Sequence, residues 1–522
     1  MPDSSLSRRR FVSALGGAAA ARAAEKRPNI ILIMADDMGY SDAGCYGGEI
    51  RTPNIDSLAR GGIRFTQFYN AAKCCPTRAS LLTGLYNHQA GVGNMVEDMG
   101  RPSYQGHLND RSVTIAEALR EAGYHTRMSG KWHVGEKRPH WPLDRGFDHY
   151  AGLISGSSSF FRLSEDRPLV IGNAIYRPPD DSFYLTDLFT DWAVKHIEEV
   201  SRRPQPYFLY VAYTAPHWPL HALEEDIARY RGKYLKGWDV LRRERHERQL
   251  GMGLVEKRWP LSPRDPQAPA WDSAGNKQGW DLKMAVYAAQ IDRMDQGIGR
   301  ILRKLRETGA EDNTLVLFLS DNGGCSVHVD RGKKGVPPGP ADSFLSYGLP
   351  WANASNTPFR LYKSTIHEGG ISTPLIARWP ARIRNTGGLT SQPGHVMDIL
   401  PTCLDAAGAR YPGSFRGRSV LPIEGRSLMP VLEGGRREPH ASIGWEHQGA
   451  RGIRQGRWKL VAPNGGPWEL YDIEADRTEC HDLAARDPER LERMIAAYHE
   501  WANRCGVIPW EQLRKGGRKK KA

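Results

Sequence analysis

Five short apolar runs, each closed by a polar cluster, constrain this chain more than any other feature. They are NIILIMA (29–35), IRFTQFY (63–69), HTRMSG (125–130), YFLYVAY (207–213) and TLVLFLS (314–320). Runs of this length without polar alternation read as buried strands of a parallel sheet. Helical patterns lie between them. SVTIAEALREAG pairs Thr114 with Glu117 in a capping box and stops at Gly123. A longer pattern before residue 308 sets Tyr287, Ile291, Met294, Ile298, Ile301, Leu302 and Leu305 on one face. Strands alternating with helices imply a doubly wound α/β domain.

The residues just beyond each strand carry the chemistry. The first run ends in Asp36 and Asp37, and the second leads to CCPTR. The third leads to Lys131 and His133, the fourth to His217, and the fifth to Asp321 and Asn322. Open α/β sheets hold ligands outside the carboxyl ends of their strands. Any one cluster reads most simply as a cap or a loop. Five at the same topological position imply one shared cleft.

The 522 residues exceed the usual size of a single domain, so a large domain and a smaller one are expected. Residues 25–436 read as the large α/β domain that carries the cleft. From about 437 the texture changes to short strands, GARGIRQGRWKLVAP and PWELYDI, followed by the helix ERLERMIAAYHEWANRC. Residues 437–513 therefore read as a small α+β domain. Two stretches without periodicity, roughly 220–280 and 325–357, read as rims or lids.

The net charge of +13 is mostly in the ends. Residues 1–24 carry four Arg against one Asp, and 514–522 form a basic tail of six Lys/Arg without an acid, which leaves the body at +4. With no recognition motif, that excludes a nucleic-acid partner. No apolar run approaches the roughly 18 residues needed to span a bilayer. Seven scattered cysteines without a C-x-x-C pair form neither a disulfide framework nor a zinc site. The opening SRRRFVSALGGAAAARA reads as a twin-arginine export signal with Arg8, Arg9, Arg10 and Phe11 at its core, which implies a periplasmic or secreted protein and the twin-arginine machinery as a partner.

In CCPTRASLLTG (74–84), Pro76 suits the first turn of a helix. Cys74 then stands at the helix N-terminus, where backbone N–H groups favour an anion, with Arg78 one turn on. The bare pattern admits a catalytic thiolate or a buried inert cysteine. The segment also closely resembles the signature of the type I sulfatases, whose key cysteine is oxidised after translation to formylglycine. Only Cys74 has Pro at +2 and Arg at +4, so the resemblance marks it as the modified position. PNIILIMADDMGYSDAGCYGG, TPNIDSLA, GKWHVG, APHWPL, SDNGG and LYKSTIHEGG extend the resemblance over most of residues 28–510, closest to the bacterial arylsulfatases. One departure is Ser372–Thr373 after EGGI, where the family often has Arg or another charged residue, then an apolar one. That departure is expected to affect the rim rather than the core of the site.

The resemblance implies an alkaline-phosphatase-like fold: a large mixed, mostly parallel sheet flanked by helices, with a smaller α+β C-terminal domain. It implies hydrolysis of sulfate monoesters and a formylglycine-generating enzyme as partner. The nearest alternative is a phosphonate or phosphate ester hydrolase of the same superfamily. Asp36, Asp37, Asp321 and Asn322, with residue 74, would hold one Ca²⁺, a choice that hard oxygen donors favour over zinc. Arg78, Lys131 and Lys363 would hold the anion. In the family mechanism a hydroxyl of hydrated formylglycine at 74 attacks sulfur with Asp321 as proton acceptor. His217 or Lys363 then assists departure of the alcohol, and His133 the release of sulfate.

Overall fold

The computed structural model describes residues 26–179 and 183–518. The export signal proposed for residues 1–24 and the last four residues of the basic tail lie outside the described residues.

Eleven strands form one sheet: β1 (Asn29–Ala35), β2 (Ile63–Tyr69), β3 (His125–Lys131), β4 (His149–Leu153), β5 (Leu169–Ile171), β6 (Ala174–Tyr176), β7 (Tyr207–Ala212), β8 (Thr314–Ser320), β9 (Ser372–Arg378), β10 (Gly388–Thr390) and β11 (Gly394–His395). Their order is β10-β2-β9-β8-β1-β7-β3-β4-β5-β6, with β11 also on β2. All five apolar runs are strands within a residue of the expected bounds, and all point the same way. The sheet is mixed because β9 runs antiparallel between β8 and β2, and at the other edge β5 runs antiparallel to β4 and β6. That strand, STPLIAR, escapes a hydropathy reading because Pro374 interrupts it. The ladder accommodates a residue without N–H at a shift in the β2–β9 register between Phe65 and Phe68.

Strand β1 shows why its run is apolar from Ile30 to Ala35. Ile31, Ile33 and Ala35 enter one core, shared with Ile291, Met294 and Ile298 of the long helix Lys277–Glu307. Ile30, Leu32 and Met34 enter a second core on the other face, with Leu119 and Leu400. Period-two alternation thus sends each half of the strand into a different core, and no position from Ile30 to Ala35 is left for a polar residue. Truncating one such side chain costs about 2–5 kcal/mol. The capping box forms as expected: Thr114 Oγ1 accepts from Glu117 N–H at 3.0 Å, and Glu117 Oε2 from Thr114 N–H at 2.9 Å.

The stretch 220–280 is not irregular throughout. Gly237–Gly251 is a fifteen-residue helix whose buried face includes Arg245. Arg245 bonds Asp42 at 2.7 Å and Glu49 at 2.9 Å, so a charged residue occupies a position that an apolar one would mark. After a short ribbon of β12 (Ser414–Phe415) and β13 (Arg418–Ser419), the chain forms a second antiparallel sheet. It runs β14 (Ile443–His447), β15 (Ala450–Gln455), β16 (Trp458–Ala462) and β17 (Glu469–Asp472), and helix Pro488–Cys505 packs on it.

Candidate active site

The groups at the strand ends meet in one buried cluster. Asp36, Asp37, Cys74, Arg78, Lys131, His133, His217, Asp321, Asn322 and Lys363 are each at most 7% exposed. β1 delivers the two aspartates, and Asp37 takes a positive φ of 67° to leave the strand. β3 ends at Lys131, and His133 beyond it also has positive φ, 58°. Left-handed backbone at non-glycine residues is costly and concentrates at functional sites.

Cys74 is the first residue of the helix Cys74–Thr83, every side chain of which is buried. Arg78, one turn on, donates to Asp321 Oδ2 at 3.0 Å, to the Lys131 carbonyl at 3.1 Å and to the Tyr210 hydroxyl at 3.4 Å. A hydrogen bond from Cys75, acting against burial and aided by Lys131, Lys363 and His133, holds the Cys74 thiol well below its ordinary value. Burial pushes the Cys75 thiol well up. Cys74, Cys75 and His133 bring one sulfur or nitrogen each within 4.8 Å of one another. All seven cysteines are free.

Each aspartate has a cation. Lys131 Nζ lies 2.5 Å from Asp36 Oδ2, and Lys363 Nζ bonds Asp37 Oδ1. Asn322 Nδ2 also donates to Asp37 Oδ1, at 2.7 Å, and the Asp37 N–H donates to Asp321 Oδ1 at 3.1 Å. Burial opposes ionisation of Asp37, but Lys363 and His217 outweigh it and hold the carboxyl at about 2. Asp321, buried and beside Asp36, is pushed up to about 7. Burial holds both His133 and His217 down at about 4. His217 turns Nε2 to Asp37 Oδ2 at 3.6 Å and bonds the Trp218 carbonyl through Nδ1 at 2.6 Å.

The donor set fits a hard cation. Asp36 Oδ1, Asp37 Oδ2 and Asn322 Oδ1 are buried oxygens with no hydrogen-bond partner. Buried acceptors left unpaired are expensive unless a ligand satisfies them, and oxygen-only donors suit Ca²⁺. One atom each of Asp36, Asp37 and His217 lies within 4.8 Å of the others.

Sequence reasoning missed some of the support. Tyr210 holds Arg78 from inside an apolar strand, where it reads as core. Gly156 packs so closely on the His133 ring that a Cβ there would lie 2.3 Å from Nε2, and a lone glycine gives no such signal. The departure at Ser372–Thr373 does not lie on the rim, because both residues are buried within β9. Thr373 Oγ1 donates to the Ser320 carbonyl at 2.7 Å, one residue before Asp321. Ser372 Oγ donates to Glu368 and accepts from Arg477, so a guanidinium from the C-terminal region reaches this place.

Comparison with known proteins gives the family. The family model described as Sulfatase matches residues 28–409, and one described as N-sulphoglucosamine sulphohydrolase, C-terminal, matches residues 359–500. An uncharacterized sulfatase of Schizosaccharomyces pombe is 36% identical over 530 residues, covering 93% of this chain and 95% of that protein. An arylsulfatase of Klebsiella aerogenes is 36% identical over 442 residues, 80% of this chain and 94% of its own. Among solved structures, Ps i-CgsB in complex with k-i-k-neocarrahexaose has a TM-score of 0.68 at 27% identity, covering 91% of this chain and 93% of that one.

Proposed function

The chain belongs to the sulfatase family and is a sulfuric ester hydrolase, and we propose that it cleaves sulfate monoesters of phenols or related alcohols by means of a formylglycine made from Cys74 and a bound Ca²⁺. One observation carries this reading. Cys74 opens a wholly buried helix among Lys131, Lys363 and His133, beside three oxygens that lack partners.

Asp36, Asp37, Asp321 and Asn322, with residue 74, would hold the cation, which when bound would supply charge to offset the carboxylates and to polarise the sulfate ester. Converted residue 74 supplies the hydroxyl oxygen that acts as nucleophile. Arg78, Lys131 and Lys363 bind and orient the sulfate oxygens where negative charge accumulates. Asp321 takes the proton of the attacking hydroxyl. Lys363 at Nζ, or His217 at Nε2 once its ring is protonated, gives a proton to the ester oxygen as the alcohol leaves. His133 takes the proton of the second hydroxyl as sulfate departs. The burial of all these groups keeps bulk water from competing for their protons.

A saccharide as the alcohol half is supported by the likeness, at 27% identity, to the protein solved with k-i-k-neocarrahexaose. A twin-arginine signal at 1–24 would carry the folded protein to the periplasm or beyond. No helix of the described residues is long and apolar enough to cross a membrane. Residues 437–513 form the smaller domain in this reading, and 25–436 the catalytic one.

The deciding experiment is a mass spectrum of the peptide containing residue 74 together with release of inorganic sulfate from a panel of sulfate, phosphonate and phosphate esters. An aldehyde at 74 with turnover of sulfate esters supports the reading. An intact thiol at 74 in fully active protein, or preference for phosphonates, overturns it.

A further inference from the structure

His447 is a further imidazole near Cys74, brought there by the C-terminal sheet. In a strand, alternate residues share a face, so Ile443, Trp445 and His447 of β14 point together. That face turns to the catalytic segment. Ile443 and Trp445 pack in one cluster with Tyr69, Ala72 and Ile366, and Trp445 Nε1 donates to the Asn70 carbonyl at 2.8 Å. Ala450, paired with His447 across the hairpin, lies in the same cluster. The opposite face packs elsewhere, with Gly444 against Trp501 and Glu446 on His88 at 2.9 Å.

The hairpin tip is fixed. Gln448 donates to Asn94 Oδ1 at 3.0 Å, and the Gly449 N–H to Glu446 Oε1 at 2.8 Å. Yet His447, 1% exposed, has neither ring nitrogen bonded. Lys73, Cys74, His88 and Lys363 act on its ring electrostatically. Lys73 itself is engaged with Ser364, 2.9 Å away. Two unpaired nitrogens on a buried, well-anchored imidazole call for a partner that arrives with a ligand.

Resting on the sulfate-ester reading, we infer that His447 is a specificity residue whose imidazole pairs with a hydroxyl group on the alcohol half of the substrate. The sulfate half already has Arg78, Lys131 and Lys363, and its oxygens can only accept. A neutral imidazole offers one donor and one acceptor, which matches a hydroxyl. Burial keeps this ring neutral, with its value held at about 3.

The test uses the full-length enzyme with two esters that differ by one hydroxyl, 4-nitrophenyl sulfate and 4-nitrocatechol sulfate. In His447→Ala the ratio of kcat/KM, catechol ester over phenyl ester, falls about fivefold, the scale of one neutral hydrogen bond. The change resides in KM more than in kcat. His447→Gln, which keeps a donor and an acceptor, recovers part of the ratio. Equal losses on both esters, or no loss, overturn the inference. Binding of free 4-nitrocatechol, read by its absorbance, decides the contact independently of turnover: weaker binding in His447→Ala supports it and equal binding refutes it. Failure of the unaltered enzyme to hydrolyse either ester would instead count against the chemistry proposed for residue 74.

Discussion

Arg78 and Asp321 meet at 3.0 Å with both side chains wholly buried, which ties the first turn of the Cys74 helix to the end of β8. Asp36 lies 3.9 Å from the same guanidinium nitrogen. Removing the arginine would leave two buried carboxylates short of a counter-charge. Arg78→Ala should therefore destabilise the protein by about 3–5 kcal/mol in urea unfolding. Arg78→Lys keeps the charge but loses the fork that reaches Asp321, the Lys131 carbonyl and Tyr210 together. It should stay folded and lose activity by about 10²-fold or more.

The metal is checked without relying on turnover. Ca²⁺ added to chelated protein should raise the thermal midpoint, with a stabilisation of about 2.7 kcal/mol when the ion is at a hundred times its Kd. Asp37→Asn should weaken that response. No shift in Tm on adding Ca²⁺, with elemental analysis showing no bound ion, would remove the metal from the reading.

The histidines are separable by leaving group. Losing a proton donor hurts poor leaving groups most, so the rate loss in His217→Ala should grow with the pKa of the phenol. In His133→Ala the slow step should move after the alcohol leaves. That variant should release phenol in a burst ahead of sulfate, and its kcat should hardly depend on the phenol. Each loss is expected at about 10²–10⁴-fold. Identical leaving-group slopes in the two variants would refute the division of roles.

A second charge cluster predicts the acid limit of stability. Glu368 is buried against Lys459 at 2.9 Å and Arg477 at 3.2 Å, and Glu479 lies 2.7 Å from Lys459. Burial opposes ionisation of Glu368, but the two cations outweigh it and hold the carboxyl at about 2 against an ordinary 4.5. A depressed carboxyl stabilises the fold above its unfolded value. That contribution is lost as pH falls from about 4.5 through about 2. Unfolding free energy measured against pH should decline across this window, and Glu368→Gln should flatten the decline while lowering stability at neutral pH.

Much of this is legible in the sequence, for a physical reason. Strands β1 and β8 are buried on both faces and almost wholly apolar, so a polar pair directly after one, Asp36–Asp37 or Asp321–Asn322, stands out against its background. The signal fails where burial is achieved by pairing rather than by apolarity. Arg245 occupies the buried face of its helix because Asp42 and Glu49 meet it, and no periodicity records such a partnership. It fails again in β9, where Pro374 sits at a register shift that only the neighbouring strand can create. His447 is invisible for a third reason. Its significance depends on which face of β14 turns toward residues 70–74, a relation between segments far apart in the chain.

The wholly buried helix that begins at Cys74 also imposes an order in time. A side chain 2% exposed in the finished fold is out of reach of a modifying enzyme. If residue 74 is converted, conversion therefore precedes closure of the sheet around it. The architecture leaves an interval for this, because β1 cannot pair on either side until β7 and β8 have been synthesised. Until then Cys74 belongs to an open chain. Once β8 seats beside β1 and brings Asp321 to Arg78, the cysteine that enters is the one that stays, and a chain that closes too early carries a thiol it can no longer exchange.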